Sequence, residues 1–251
     1  MKMIRKFLVL TLSIFMVGSL VLPVNAEEES GTGDKTLTYS EKQITDVDSL
    51  YNMAESGISD VAENSNDDVA TVTNPETGEE EFLETMSTTQ LVEVKQARNE
   101  SEETYVKTTF IKEPEPESEV IQTRASKNEG AYDKTGGVRA YSTVTYTTSS
   151  GDGKFTYIKM TKMSGGFSIK DSSIQITSRS VKMNQYGRLS GKQQGVTNTT
   201  SRKPINNTFG YSVPNWPAVG RGSIGYDTGV GITGNLKRGS YKWSVNFYNS
   251  I

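Results

Sequence analysis

Over residues 136–251 apolar positions recur at every second residue. Phe155, Tyr157, Lys159 and Thr161 alternate with Thr156, Ile158, Met160 and Lys162, and Ile174 and Ile176 alternate with Gln175 and Thr177. In the last segment Tyr241, Trp243, Val245 and Phe247 share one face, while Lys242, Ser244, Asn246 and Tyr248 share the other. Period two is the signature of half-buried strands. Turn residues punctuate these runs at Ser150-Gly151-Asp152-Gly153, Ser164-Gly165-Gly166 and Lys237-Arg238-Gly239-Ser240. The pattern predicts a mainly β, antiparallel, immunoglobulin-like sandwich over 138–251, with a small barrel as the alternative. Its 14 aromatic residues supply the core that a chain without disulfides needs. Trp243, on a clean alternating strand, is expected in that core. Trp216, in the Pro-rich segment Ser212 to Pro217, is expected to plug one end of the sandwich or to form an exposed ligand platform.

The pattern upstream is weaker. Val47, Leu50, Tyr51, Ala54 and Ile58 recur at helical spacing, with Thr45 and Asp48 as a capping pattern and Gly57 as a stop. A helix over 46–56 is predicted, and a helix this short is marginal alone. Val69 to Thr73, Leu91 to Val94 and Tyr105 to Ile111 read as strands, and Asn74-Pro75-Glu76-Thr77-Gly78 reads as a turn. Glu27 to Ser40 reads as disordered. Lys112 to Glu117, with Pro114 and Pro116, begins an extended linker that runs to Gly137.

At the N-terminus, Lys2, Arg5 and Lys6 precede an apolar run from Phe7 to Leu22, then Pro23 and Val24-Asn25-Ala26. This is the pattern of a secretory signal peptide cleaved between Ala26 and Glu27. The predicted organisation is therefore a signal peptide over 1–26, an acidic region with one helix and a few strands over 27–111, a linker over 112–137, and a basic sandwich over 138–251. Charge sharpens the division. Residues 27–135 hold 27 acidic against 9 basic side chains, and residues 136–251 hold 3 against 15. An excess of 18 negative charges opposes compaction of the acidic region by itself. It is therefore expected to behave as an arm, stable only against a partner. The basic half is the natural intramolecular candidate.

The chemistry is bounded by what the chain lacks. It has no His and no Cys. That removes imidazole bases, thiolate nucleophiles and the metal sites built on them. No cofactor or metal site is expected. The basic half contains only Asp152, Asp171 and Asp227 as carboxylates, each suited to a turn, so a hydrolase of wall polymers is a remote reading. Gly220 to Gly225 and Gly229 to Gly234 spell a dinucleotide-binding pattern without the helix it requires. These glycines are expected to mark bulges or close approaches of neighbouring elements.

The run from Phe155 to Phe167, and that from Leu236 to Trp243, resemble stretches found in small secreted β-sandwich proteins of Gram-positive bacteria. The resemblance implies export and the sandwich, and it carries over no site residue. The expectation is a secreted, non-enzymatic protein, retained at the cell wall by binding anionic wall polymers or lipid headgroups, with nucleic acid set aside because of export. Trp216, Arg202, Lys203, Arg221, Lys237 and Arg238 are the candidate ligand-binding residues. The alternative is a precursor in which the acidic region masks a basic bioactive domain until cleavage near Arg124.

Overall fold

The computed structural model describes residues 35–62, 67–98, 100–113, 137–150 and 153–251. The expected signal peptide, its Ala26–Glu27 cleavage point, most of the linker with Arg124, and Asp152 lie outside the described residues. The elements, in chain order, are β1 (Thr36–Ser40), α1 (Val47–Glu55), β2 (Val69–Thr73), β3 (Glu80–Leu83), β4 (Thr85–Ala97), β5 (Glu100–Ile111), β6 (Val138–Ser149), β7 (Tyr157–Ile169), β8 (Gln175–Arg188), β9 (Gly195–Arg202), β10 (Thr208–Ser212), β11 (Val219–Gly220), β12 (Asp227–Arg238) and β13 (Tyr241–Ser250). The protein is mainly β and antiparallel, as the alternation predicts.

The hydrogen-bonded path is β1-β4-β5-β6-β7-β11-β8-β12-β13-β2-β3, with β10 beside β7 and β9 beside β8. Its middle link, β11, is two residues long. The sheet therefore reads as two runs, β1-β4-β5-β6-β7-β10 and β9-β8-β12-β13-β2-β3, and it curls so that their inner faces meet. Val144 of β6, Met160 and Phe167 of β7, Met183 of β8 and Ile232 of β12 share one buried cluster. Trp243 is buried, as expected, in a second cluster with Val72, Ile174 and Leu236. Asn249 of β13 donates across the interior to the Ser142 carbonyl of β6 at 2.9 Å.

The boundary that charge suggested is not where the fold divides. Residues 33–251 form one compact unit. β5, from the acidic region, pairs with β6 of the basic half, from Glu102 opposite Ser149 to Phe110 opposite Tyr141. β2 pairs with β13, from Val69 opposite Tyr248 to Thr73 opposite Ser244. Even Thr36–Ser40, expected to be disordered, is a strand on the edge of β4. The repulsion that argued for a loose arm is relieved in two ways. The apolar faces Ala70, Val72, Val106 and Phe110 are buried in the shared fold. Lys35–Glu102, Lys95–Glu93 and Lys112–Glu84 pairs offset part of the charge.

Local expectations fare unevenly. The helix forms one residue inside the predicted span. Its N-cap is Asp46, whose carboxylate accepts from the Ser49 N–H at 2.8 Å, and Gly57 follows it at φ +67. The turn at 74–78 closes with a Gly78 N–H to Asn74 carbonyl bond of 2.8 Å. Ser164-Gly165-Gly166, read as a turn, lies instead inside β7. A Cβ at Gly165 would stand 2.8 Å from both Ile232 Cδ1 and the Tyr141 carbonyl. These glycines admit close neighbours within a strand, and they do not mark its end.

Candidate functional site

One cationic surface is built by the loops that gather around β11. The Arg221 N–H donates to the Thr156 carbonyl at 2.8 Å. Gly220 pairs with Arg188 at the end of β8. Ser223 is the buried keystone: its hydroxyl donates to the Gly220 carbonyl at 2.7 Å and accepts from the Arg188 N–H at 3.1 Å. The Arg188 guanidinium in turn donates to the Lys192 carbonyl in the β8–β9 turn. The adjoining segment is tied down from below. Gln185, fully buried, donates from Nε2 to the Pro217 carbonyl at 2.6 Å and accepts from the Met160 N–H at 2.8 Å. Lys159 reaches Asn215 Oδ1 at 2.7 Å.

Lys159, Arg188, Lys192 and Arg221 thereby share one loop end, and no ion pair among the described residues engages any of them. The acid nearest Arg221 in sequence, Asp227, is taken up on the outer face of the second run. Its carboxylate accepts from Asn184 Nδ2 at 2.5 Å and from the Tyr248 hydroxyl. Burial, followed by that hydrogen bond, pushes the Tyr248 pKa far upward, so the phenol stays a neutral donor.

The six residues singled out from sequence do not meet. Trp216 and Arg221 belong to the loop end. Trp216 is half-buried against the main core, which makes it a cover over that core. Arg202, exposed at the end of β9, donates to Thr200 Oγ1 and to the Ser201 carbonyl, both at 2.9 Å, and Lys203 follows it in the loop to β10. Lys237 lies opposite Gln175, at the far end of β8 from Arg188. The separation along β8 is about 40 Å. Arg238, beside Lys237, is bound to the Asp171 carboxylate at 2.5 Å. Hydrogen bonds from Ser173, then the Arg238 charge, hold Asp171 below the usual carboxylate range. The residues that sequence reading did not single out are Lys159, Arg188 and Lys192. For Arg188 and Lys192 the only signal was nearness in sequence to the turn glycine Gly191, and Lys159 carried none that sets it apart from any other lysine.

Asp171 and Asp227 stand at opposite ends of β12, about 35 Å apart along the strand, and make no carboxylate pair. Among the described residues no group of three or more His, Cys, Asp or Glu side chains could hold a metal ion. The two glycine-rich runs lie in β11 with its following turn and in β12, and no helix follows either. A Cβ on Gly229 would meet the Asn249 carbonyl at 2.3 Å, and one on Gly234 the Phe167 ring at 2.7 Å. On the outer face of the second run, Gly231 leaves an open depression of about 260 Å³ between Lys182, Asn246 and Tyr248. Thr233 donates into it, to Asn246 Oδ1, at 3.0 Å.

The fold and this surface define an antiparallel β protein with its cationic loops at one end and its acidic strands on the opposite flank. No family model, curated protein or solved structure matches the chain.

Proposed function

We propose that this is a secreted, non-enzymatic binding protein that holds an anionic polymer or lipid surface of the cell envelope against its cationic loop end. The observation that carries the reading is the convergence of Arg188, Lys192 and Arg221 around the Ser223 keystone. The sorting of charge supports it. β1, β4 and β5 occupy one flank of the first run, β2 and β3 the same flank of the second, and the basic strands lie opposite in both. Such a molecule orients in the field of a polyanion before it touches it. Secretion and retention at the wall of a Gram-positive cell belong to the same proposal, supported by the N-terminal pattern and the two resembling runs. So does the finer reading of the fold as an immunoglobulin-like sandwich, for which two antiparallel runs over a shared core speak.

The precursor reading is less favoured. The acidic strands are hydrogen-bonded members of both runs, so cutting the linker does not by itself release the basic strands.

The test is sedimentation of the chain beginning at Glu27 with purified cell walls and, separately, retention on immobilised polyphosphate. Reversing Lys192 and Arg221 to Glu is expected to weaken both about tenfold, and raised salt is expected to release the protein. Reversing Lys237 and Lys242, at the distant hairpin, is expected to change binding about twofold at most. Equal losses from the two pairs would mean that net charge alone acts, and the loop-end site would be abandoned.

A further inference from the structure

The cationic loop end carries a feature that a soluble polyanion has no use for. Ile224 is 100% exposed, at the tip of the turn that follows β11. The turn is rigidly made. Gly222 and Gly225 take φ of +75 and +74, a conformation that side chains resist, and Ser223 between them is buried and bonded at both sides. The Tyr226 N–H closes the loop on the Ser223 carbonyl at 2.9 Å. Ile224 is therefore held outward by its own backbone and is not merely left over from packing. Arg221 lies three residues earlier on the same turn, the Arg188 N–H is bonded to Ser223 beside Ile224, and the Arg188 guanidinium donates to the Lys192 carbonyl.

An aliphatic tip on a turn whose own and adjoining segments carry Arg221, Arg188 and Lys192 matches a bilayer with anionic headgroups. The cations meet phosphate at the surface, while the side chain enters the acyl boundary beneath them. Phe82 provides the contrast. It is 76% exposed, on β3 of the acidic flank, next to Glu81 and near Glu80 and Glu84. A negatively charged membrane repels that flank.

We infer that the loop end seats on an anionic lipid bilayer, with Ile224 inserted among the headgroups. The inference rests on the polyanion reading above and narrows it to a lipid surface. The experiment uses the chain beginning at Glu27 with vesicles of phosphatidylcholine, with or without an equimolar share of phosphatidylglycerol, beside soluble polyphosphate. Binding is expected only to the phosphatidylglycerol vesicles and to polyphosphate. Ile224→Ser is expected to lower vesicle binding about tenfold and leave polyphosphate binding unchanged. Phe82→Ser is expected to alter neither. A fluorophore on Ile224→Cys, which introduces the chain's one thiol, is expected to shift to the blue on phosphatidylglycerol vesicles. This reading does not depend on the serine variant. Vesicle binding indifferent to Ile224→Ser, or a probe that stays in water, would overturn the insertion and leave polyanion binding intact. Binding to neither vesicles nor polyphosphate would bring down both readings.

Discussion

Lys107 is a charge inside the fold. Its side chain is 10% exposed and its partner Asp68 wholly enclosed, with Nζ 3.0 Å from the carboxylate. The ammonium also donates to the Ser250 carbonyl at 2.9 Å, while Asp68 accepts from the Thr109 hydroxyl at 3.1 Å and the Ser250 N–H at 2.7 Å. One carboxylate thus gathers β5 and the end of β13 beside the entry to β2. Burial pushes the Asp68 carboxyl upward, and the attraction of Lys107 offsets only part of that. Lys107→Met, similar in volume, strands the carboxylate and is expected to cost about 3–5 kcal/mol in urea unfolding at neutral pH. The sign with pH follows from the raised pKa. A carboxyl that binds its proton more tightly when folded gains stability as pH falls through that pKa, so the variant is expected to recover part of its loss on acidification. A deficit that does not shrink on acidification would show that the carboxylate is not the cause. Nothing in the sequence joined these residues. Asp68 precedes a strand and Lys107 sits in an alternating run, 39 positions away.

A helix of nine residues holds little structure alone, and α1 is kept by what it touches. Leu50, Tyr51 and Ala54 are buried with Phe110 of β5, and the Tyr51 and Phe110 rings meet edge to face at 5.3 Å. Arg139 of β6 fastens the assembly. Its guanidinium lies 3.8 Å from the centre of the Tyr51 ring, donates from Nη1 to Asp48 at 2.6 Å and from Nε to Glu113 at 2.7 Å. Burial favours the uncharged Glu113, but Lys170 and Arg139 together outweigh it and hold the carboxyl below its ordinary value. That contribution is present above the ordinary carboxylate range and is lost as pH falls through the folded pKa. Arg139→Lys keeps the charge but neither the forked donors nor the stacked plane. It is expected to cost about 1–2 kcal/mol and to raise amide exchange in α1 more than in β7 or β12. Uniform exchange across the fold would show that the clasp is not local.

Across the whole molecule, the acidic and basic parts are halves of one fold. Chain cleaved between Glu113 and Gly137 is accordingly expected to elute as a single species under native conditions, its pieces separating only in denaturant. The 138–251 piece, made alone, is expected to lack dispersed amide resonances. It would expose the edges of β6 and β13 that β5 and β2 occupy. A well-dispersed spectrum from that piece would restore the independent sandwich. The alternating strands, the helix at 46–56, the 74–78 turn and the core role of Trp243 were all legible, because each depends on neighbours a few residues away. Strand partnership was not. β2 ends against β13, and β1 against β4, through contacts that local pattern does not encode, and net charge pointed the other way by counting carboxylates without their positions. The sequence by itself determined the β character, the turn at 74–78 and the two opposed stocks of charge. Tertiary structure alone decided that the acidic strands stand at both edges of the sheet path with the basic strands between them, and that four cations and an isoleucine share one loop end, because only folding brings β8, β11 and their turns to the same place.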